Sequence, residues 1–249
     1  MIEVLSPRPD LLGECPVWDA RSSHLYSIDI DGRSIHRQHV ATGAVESLSL
    51  TGRPGCIALT DDPDILIAAV ERELMWVTWS DRTTERWREL PTGGPRNRLN
   101  DGALDRNGRL WIGSMHEDAT ESSGLLQRVD RDGTATQVRD GVGVANGIAF
   151  SPDGTTMYFA DTIARTVRAH AYDPATGALG PELVFSEFED LPGSPDGATV
   201  DVEGCYWIAC VFGSAIARIT PQGEVDRIIE LPVDKPTKPA FGGDDLDIL

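Results

Sequence analysis

Polar side chains recur at one position of a repeating sequence segment. Asn100, Asn146 and Asp196 each stand eight residues before a turn glycine, in the segments NDGALDRNG, NGIAFSPDG and DGATVDVEG. Glu14 takes the corresponding place in GECPVWDARSS, and Gly55 takes it in GCIALTDDPD. Two carboxylates and two carboxamides brought together would repel one another or lose hydration unless a cation neutralises them. Their oxygen atoms suit a hard divalent ion such as calcium, magnesium or manganese.

These residues also have a purely local interpretation. Asn100 and Asn146 could serve Asx-turns, and Asp196 could cap its own loop. The common offset favours a shared ion over separate local roles.

The elements that must position these residues are β-strands. Apolar spacing of the helical kind is nearly absent, whereas short β-branched or aromatic runs alternate with glycine-containing turns. Examples of such runs are LWIGSM at 110–115, MYFADT at 157–162 and YWIACV at 206–211. Turns at Asn107-Gly108 and Asp153-Gly154 are typical of stacked hairpins. The sequence therefore predicts an all-β chain.

The hairpins repeat with a regular period. The steps between the recurring polar positions are 41, 45, 46 and 50 residues, and a second hairpin follows each segment. Two hairpins in about 40–50 residues are typical of a four-stranded β-propeller blade, with a sandwich or jelly roll as the alternative. Because inner strands of blades face a common axis, we expect the polar positions to meet at one end of a central channel. We predict a single propeller domain over residues 1–249.

Charge and cysteine content limit the class of partner. Forty acidic residues against 22 basic residues give a formal charge of −18. This balance disfavours nucleic acid and anionic membranes, both of which need a basic surface. The start of the chain lacks the basic and apolar regions of a secretion signal. The four cysteines, at 15, 56, 205 and 210, contain no C-x-x-C pair, so we expect a reducing cytoplasmic location.

Several motifs together resemble one known family. These are GECPVWD, RLNDGALDRNGRLWIGSM, VANGIAFSPDG with MYFADT, SPDGATVDVEGCYWIA and KPAFGGDDLD. Taken in order over nearly the whole chain, they are similar to the senescence-marker-protein/gluconolactonase/luciferin-regenerating-enzyme family. The resemblance implies a six-bladed β-propeller with one divalent metal ion. It also implies hydrolysis of sugar lactones to aldonic acids.

The resemblance also assigns roles to individual residues. Glu14, Asn146 and Asp196 are the implied metal ligands, with Ca, Zn, Mn and Fe(II) as candidate ions. Arg98 and Asn100 are the implied substrate contacts.

Two further assignments concern the acidic residues. Glu117 or Asp118 would also reach the substrate, by the same resemblance. Asp196 is our candidate for the base that deprotonates water, with Asp101 or a hydroxide on the metal as alternatives.

Three functions compete at this stage. The first is a metal-dependent lactonase that acts, as a monomer or weak homodimer, on a small-molecule sugar lactone. The second is a calcium-binding regulatory protein without relevant turnover. The third is a promiscuous arylesterase or phosphotriesterase at a similar metal.

The last blade is expected to be incomplete. KPAFGGDDLDIL resembles the opening of a sixth unit, and the family pattern continues beyond it. The segment Ile2 to Leu5 is expected to supply a closing strand to that blade.

Overall fold

The computed structural model describes residues 2–6 and 8–249, which form twenty strands in five antiparallel four-stranded sheets. In every sheet the strands pair in chain order, so each sheet is a meander of the propeller-blade type. By internal packing the chain divides into two compact units. The first extends to Leu90 and includes Ala240–Leu249, and the second is Pro91–Pro239. The assignment of one domain to the whole chain stays a prediction.

The first unit contains two sheets, β1-β2-β3-β4 and β5-β6-β7-β8. Their strands are β1 (Gly13–Asp19), β2 (His24–Asp29), β3 (Ser34–His39), β4 (Ala44–Ser49), β5 (Pro54–Leu59), β6 (Ile65–Val70), β7 (Glu73–Thr78) and β8 (Thr83–Glu89).

The second unit contains three sheets, which are formed by β9 to β12, β13 to β16 and β17 to β20. Their strands are β9 (Asn97–Leu104), β10 (Leu110–His116), β11 (Gly124–Val129), β12 (Ala135–Val142), β13 (Ala145–Phe150), β14 (Thr156–Asp161), β15 (Thr166–Asp173), β16 (Ala178–Ser186), β17 (Ser194–Val200), β18 (Tyr206–Val211), β19 (Ala215–Ile219) and β20 (Val225–Glu230).

In the second unit, the last strand of each sheet is the most exposed strand of that sheet. Most residues of β9, β13 and β17 are buried, whereas β16 and β20 are largely exposed. The core of this unit includes Trp111, Phe159 and Tyr206, each less than 2% exposed. β13 packs beside both β9 and β17, so the three first strands lie next to one another.

Glycines make the predicted turns possible. Gly154 and Gly204 have φ values of 72° and 85°, in the left-handed region that side chains with a Cβ rarely adopt. Both lie in the hairpin loops predicted from the sequence, and the all-β prediction is confirmed. The four cysteines are buried, and none of them forms a disulfide. Among the described residues, none forms a helix that could cross a membrane.

The predicted number of blades is wrong. The structure has five four-stranded sheets, not six. Residues 231–249 form no strand among the described residues, and their only bridge joins Gly242 to Ile248. A strand needs a neighbour to pair its backbone groups. The segment 231–249 has roughly half as many residues as the segment 194–230, which forms the last four-stranded sheet. The described segment 2–5, the expected closing strand, is also without strand structure.

A buried histidine makes stability depend on pH in the second unit. Burial lowers the pKa of His170, which is 7% exposed on β15, although Glu182 opposes the effect. The folded state therefore holds His170 neutral where the unfolded chain begins to bind a proton, below about pH 6.5.

We expect the free energy of unfolding to fall as the pH is lowered from 7 to 5.5. His170 contributes at most about 1.4 kcal/mol per pH unit. Urea unfolding of wild type and His170→Asn at several pH values measures this slope. An identical slope in both proteins would contradict the prediction.

Candidate active site

The recurring polar positions lie on first strands, at β-bulges. In the second unit, Asn100 and Asp101 of β9 together face Gly113 of β10. The bulge of β13 follows Asn146 directly, and that of β17 contains Asp196. A bulge bends its strand and redirects side chains, and bulges are frequent beside active sites. The common sequence offset therefore corresponds to a common structural feature, located within the first strand and not before it.

Three of the predicted residues form a hydrogen-bonded row. Arg98 donates from Nη1 to Asn100 Oδ1 at 2.7 Å. Asn100 Nδ2 donates to Asn146 Oδ1 at 3.1 Å and to the carbonyl of Ala145 at 3.0 Å. Asn146 in turn donates to Thr162 Oγ1 at 2.9 Å. All three predicted residues are at least 92% buried, so their amide and guanidinium groups are held in fixed orientations.

The backbone of Asp196 lies close to Gly147, the residue that follows Asn146. A Cβ on Gly147 would stand 3.2 Å from the carbonyl oxygen of Asp196 and 2.3 Å from Tyr206 Oη. Tyr206 donates from that hydroxyl to the carbonyl of Gly147 at 2.7 Å. Burial raises the pKa of Tyr206 well above its usual value, so the donor keeps its proton. Asp196 itself is only 9% exposed.

Sequence reasoning missed one residue of this region, Lys238. Its Nζ donates to Asp101 Oδ1 and to the carbonyl of Gly102, the latter at 3.3 Å. Asp101 Oδ2 accepts the backbone N–H of Ile148 at 3.1 Å. Lys238 opens the motif KPAFGGDDLD, but nothing in that motif indicates a partner so distant in sequence. Both carboxylate oxygens of Asp101 therefore accept hydrogen bonds.

The two acidic residues predicted after β10 face an arginine. Arg96 contacts Glu117 Oε1 at 2.6 Å and Asp118 Oδ2 at 2.5 Å. Arg96 precedes β9 and is more than half exposed, so this group lies at the surface of the second unit. The substrate-binding role of Glu117 stays a prediction.

Glu14 belongs to the first unit. It lies on β1 directly before the bulge, and its Oε2 accepts the backbone N–H of Cys15 at 2.5 Å. Cys15 has a φ of 47° and its Sγ accepts the N–H of Ile57 at 3.3 Å. This contact ties the bulge of β1 to β5. The role of Glu14 as a ligand stays a prediction.

Two other clusters contain side chains of metal-binding types, but arginine side chains contact the residues of both clusters. In the first unit Arg8 lies 2.6 Å from Asp10 Oδ1 and 2.7 Å from His36 Nε2. In the second unit Arg218 pairs with Asp201 and Glu203. These clusters are therefore ion-pair networks.

Comparison with known proteins places the chain in a family. Residues 12–249 match the family described as the SMP-30/Gluconolactonase/LRE-like region. A 6-deoxy-6-sulfogluconolactonase of Pseudomonas putida is 37% identical over 243 residues, which are 97% of this chain and 83% of the relative. A pentonolactonase of Haloferax volcanii is also 37% identical, over 96% of this chain and 80% of the relative.

A solved structure is similar over nearly the same length. It is the regucalcin of Agrobacterium tumefaciens, described as a calcium-binding protein, with 32% sequence identity and a TM-score of 0.93. The match covers 98% of this chain and 82% of the other. From the matched region and these identities, we conclude that the chain belongs to the SMP-30/gluconolactonase/LRE-like family.

Proposed function

We propose that this protein is a divalent-metal-dependent hydrolase that opens sugar lactones to aldonic acids. The observation that carries the proposal is the buried row Arg98–Asn100–Asn146, with the backbone of Asp196 close to the residue that follows Asn146. A row of fixed polar side chains, with a buried aspartate on the neighbouring first strand, suits a polyhydroxylated substrate that must be oriented before water attacks it. Two relatives at 37% identity are named lactonases of sugar acids, which supports the same substrate class here.

The donor set fits a hard divalent cation. Asn146 and Asp196 would hold it through side-chain oxygens, and the family resemblance implies Glu14 as a third ligand. Asn146 and Asp196 are 4% and 9% exposed, and a divalent cation beside a buried carboxylate stabilises its charged form. When bound, such an ion polarises the lactone carbonyl and lowers the pKa of a coordinated water. Calcium, zinc, manganese and iron(II) are the candidate ions.

The side chains of the protein transfer the proton and orient the substrate. Asp196 accepts the proton of the attacking water, whose oxygen bonds to the carbonyl carbon. The ring C–O bond then breaks, and the ring oxygen takes up a proton to give the open hydroxy acid. Arg98 and Asn100 hold sugar hydroxyls and fix the orientation of the ring. Their mutual hydrogen bond limits the movement of both side chains.

Metal removal tests the proposal. After dialysis against a chelator, we expect acid release from gluconolactone and pentonolactones to fall at least 100-fold, and to return when one of the four candidate ions is added. A pH indicator measures the acid that ring opening releases. Turnover that survives chelation, or that no ion restores, would contradict the proposed mechanism.

A calcium-binding role without turnover is the second candidate function. The observation that favours it is the similarity to the regucalcin of Agrobacterium tumefaciens, described as a calcium-binding protein. Calcium binding with no hydrolysis of any lactone would support this role over the first. Aryl esters and phosphotriesters in the same assay detect the third function expected from the sequence.

A further inference from the structure

The chain has two lysines among its 22 basic residues, and they lie in very different surroundings. Lys235 is exposed, with its ammonium 5.1 Å from the centre of the Phe212 ring. Lys238 has a side chain only 8% exposed, and its ion-pair partner Asp101 is 2% exposed. A charged lysine is seldom buried unless it is paired, so the pair ties two distant parts of the chain together.

The stem of Lys238 lies flat on the residue that follows Asp196. A Cβ on Gly197 would stand 2.5 Å from Lys238 Cβ, 2.6 Å from its Cγ and 2.8 Å from its Cδ. The N–H of Gly197 donates to the carbonyl of Thr237 at 2.7 Å. The segment after β20 thus returns to cover the bulge of β17 on which Asp196 lies.

The ammonium group of Lys238 is linked through Asp101 to the other two first strands. Asp101, on the bulge of β9, accepts from Lys238 through one oxygen and from Ile148 of β13 through the other. Ile148 is two residues beyond Asn146. A single Lys238–Asp101 pair therefore connects the bulges of β9, β13 and β17.

We propose that Lys238 is a positioning residue that fixes the spacing between Asn146 and Asp196. The inference rests on the proposed function, because it concerns the two residues assigned there to the metal ion. Lys238 acts on the strands that carry the ligand oxygens and holds their bulges together. Residues that orient metal ligands typically change metal affinity or activity by about 10–100-fold when they are replaced.

Four variants separate this role from packing alone. Lys238→Met keeps most of the stem against Gly197 and removes the charge. Asp101→Asn leaves Lys238 without its partner carboxylate, and the Asp101→Asn/Lys238→Met double variant removes both charges. Lys235→Met removes the other lysine of the same segment and is the matched control.

We expect Lys238→Met to bind calcium or manganese roughly 10–100-fold more weakly in calorimetric titration. Its kcat on a lactone should fall by a similar factor, while KM stays within about threefold. The double variant should lose less than the two single losses combined, because neither charge remains unpaired. Lys235→Met should match wild type. Metal affinity and kcat of Lys238→Met equal to those of wild type would overturn the proposal.

Chemical labelling tests the pair without metal or substrate. In the folded wild type, reductive methylation followed by mass spectrometry should modify Lys235 at least tenfold faster than Lys238. Equal rates would overturn the inference even if the wild type proves to be a lactonase. If Lys238 is protected from methylation but the wild type binds no metal, the proposed function is contradicted. Lys238 would then only link the strands. If Lys238→Met does not fold, the double variant and Asp101→Asn supply the comparison of metal affinity.

Discussion

Asp196→Asn is expected to abolish lactone turnover, with a loss of at least 10³-fold in kcat. The substitution keeps the size of a side chain that is only 9% exposed but removes its charge and its ability to accept a proton. Loss of one electrostatic contact to a transition state typically costs about 3–4 kcal/mol, and loss of a base adds to this. The measurement is the initial rate of acid release at saturating metal and lactone.

The control for this variant is the same exchange at an exposed turn. Asp132 lies in the loop between β11 and β12, where its carboxylate accepts the N–H of Thr134. In Asp132→Asn, the amide oxygen can still accept this hydrogen bond. We expect its rate to equal that of wild type. Calorimetric titration should also show weaker metal binding for Asp196→Asn. Near-normal turnover in Asp196→Asn would reject both of its proposed roles.

Local sequence signals predicted the strands and turns well. YWIACV was predicted as a strand and forms β18, and the turn glycines Gly154 and Gly204 adopt the left-handed conformation that their hairpins require. These features depend on a few neighbouring residues, so a sequence pattern suffices to find them. The number of sheets cannot be found from such local patterns, because a strand exists only where a partner strand pairs with it. KPAFGGDDLDIL carries an opening motif, and residues 231–249 nevertheless form no strand.

The grouping of the recurring polar positions was predictable from the sequence, but the contacts that hold them in place were not. The common offset of Asn100, Asn146 and Asp196 identified positions that the fold brings together in the second unit. It did not reveal that each position lies in or directly before a β-bulge, since the extra residue of a bulge leaves no mark in the local pattern. The sequence did not identify Lys238 for a different reason. Its partner Asp101 is 137 residues away, and the two meet because the segment after β20 returns to the bulge of β17.

Gly147→Ala is expected to destabilise the protein by about 2–5 kcal/mol, which lowers Tm by roughly 10 °C. Gly147 has a φ of 60°, and the added methyl group would lie 2.3 Å from Tyr206 Oη and 2.7 Å from Ala160 Cβ. Both neighbours are buried, so neither can move without disturbing β14 or β18. Because Gly147 sits between Asn146 and the backbone of Asp196, lactone turnover should fall as well. Thermal unfolding and initial rates measure the two effects.

Two further variants separate backbone strain from crowding at this position. Gly141 has a similar φ of 66° but nothing within 4 Å of an added Cβ, so Gly141→Ala should cost only the conformational part, about 1–2 kcal/mol. Tyr206→Phe removes the hydroxyl that the new methyl group would strike, and adding it to Gly147→Ala should recover part of the lost stability. If Gly147→Ala is no less stable than Gly141→Ala, the close approach of β13 to β17 is not what holds Asn146 beside Asp196.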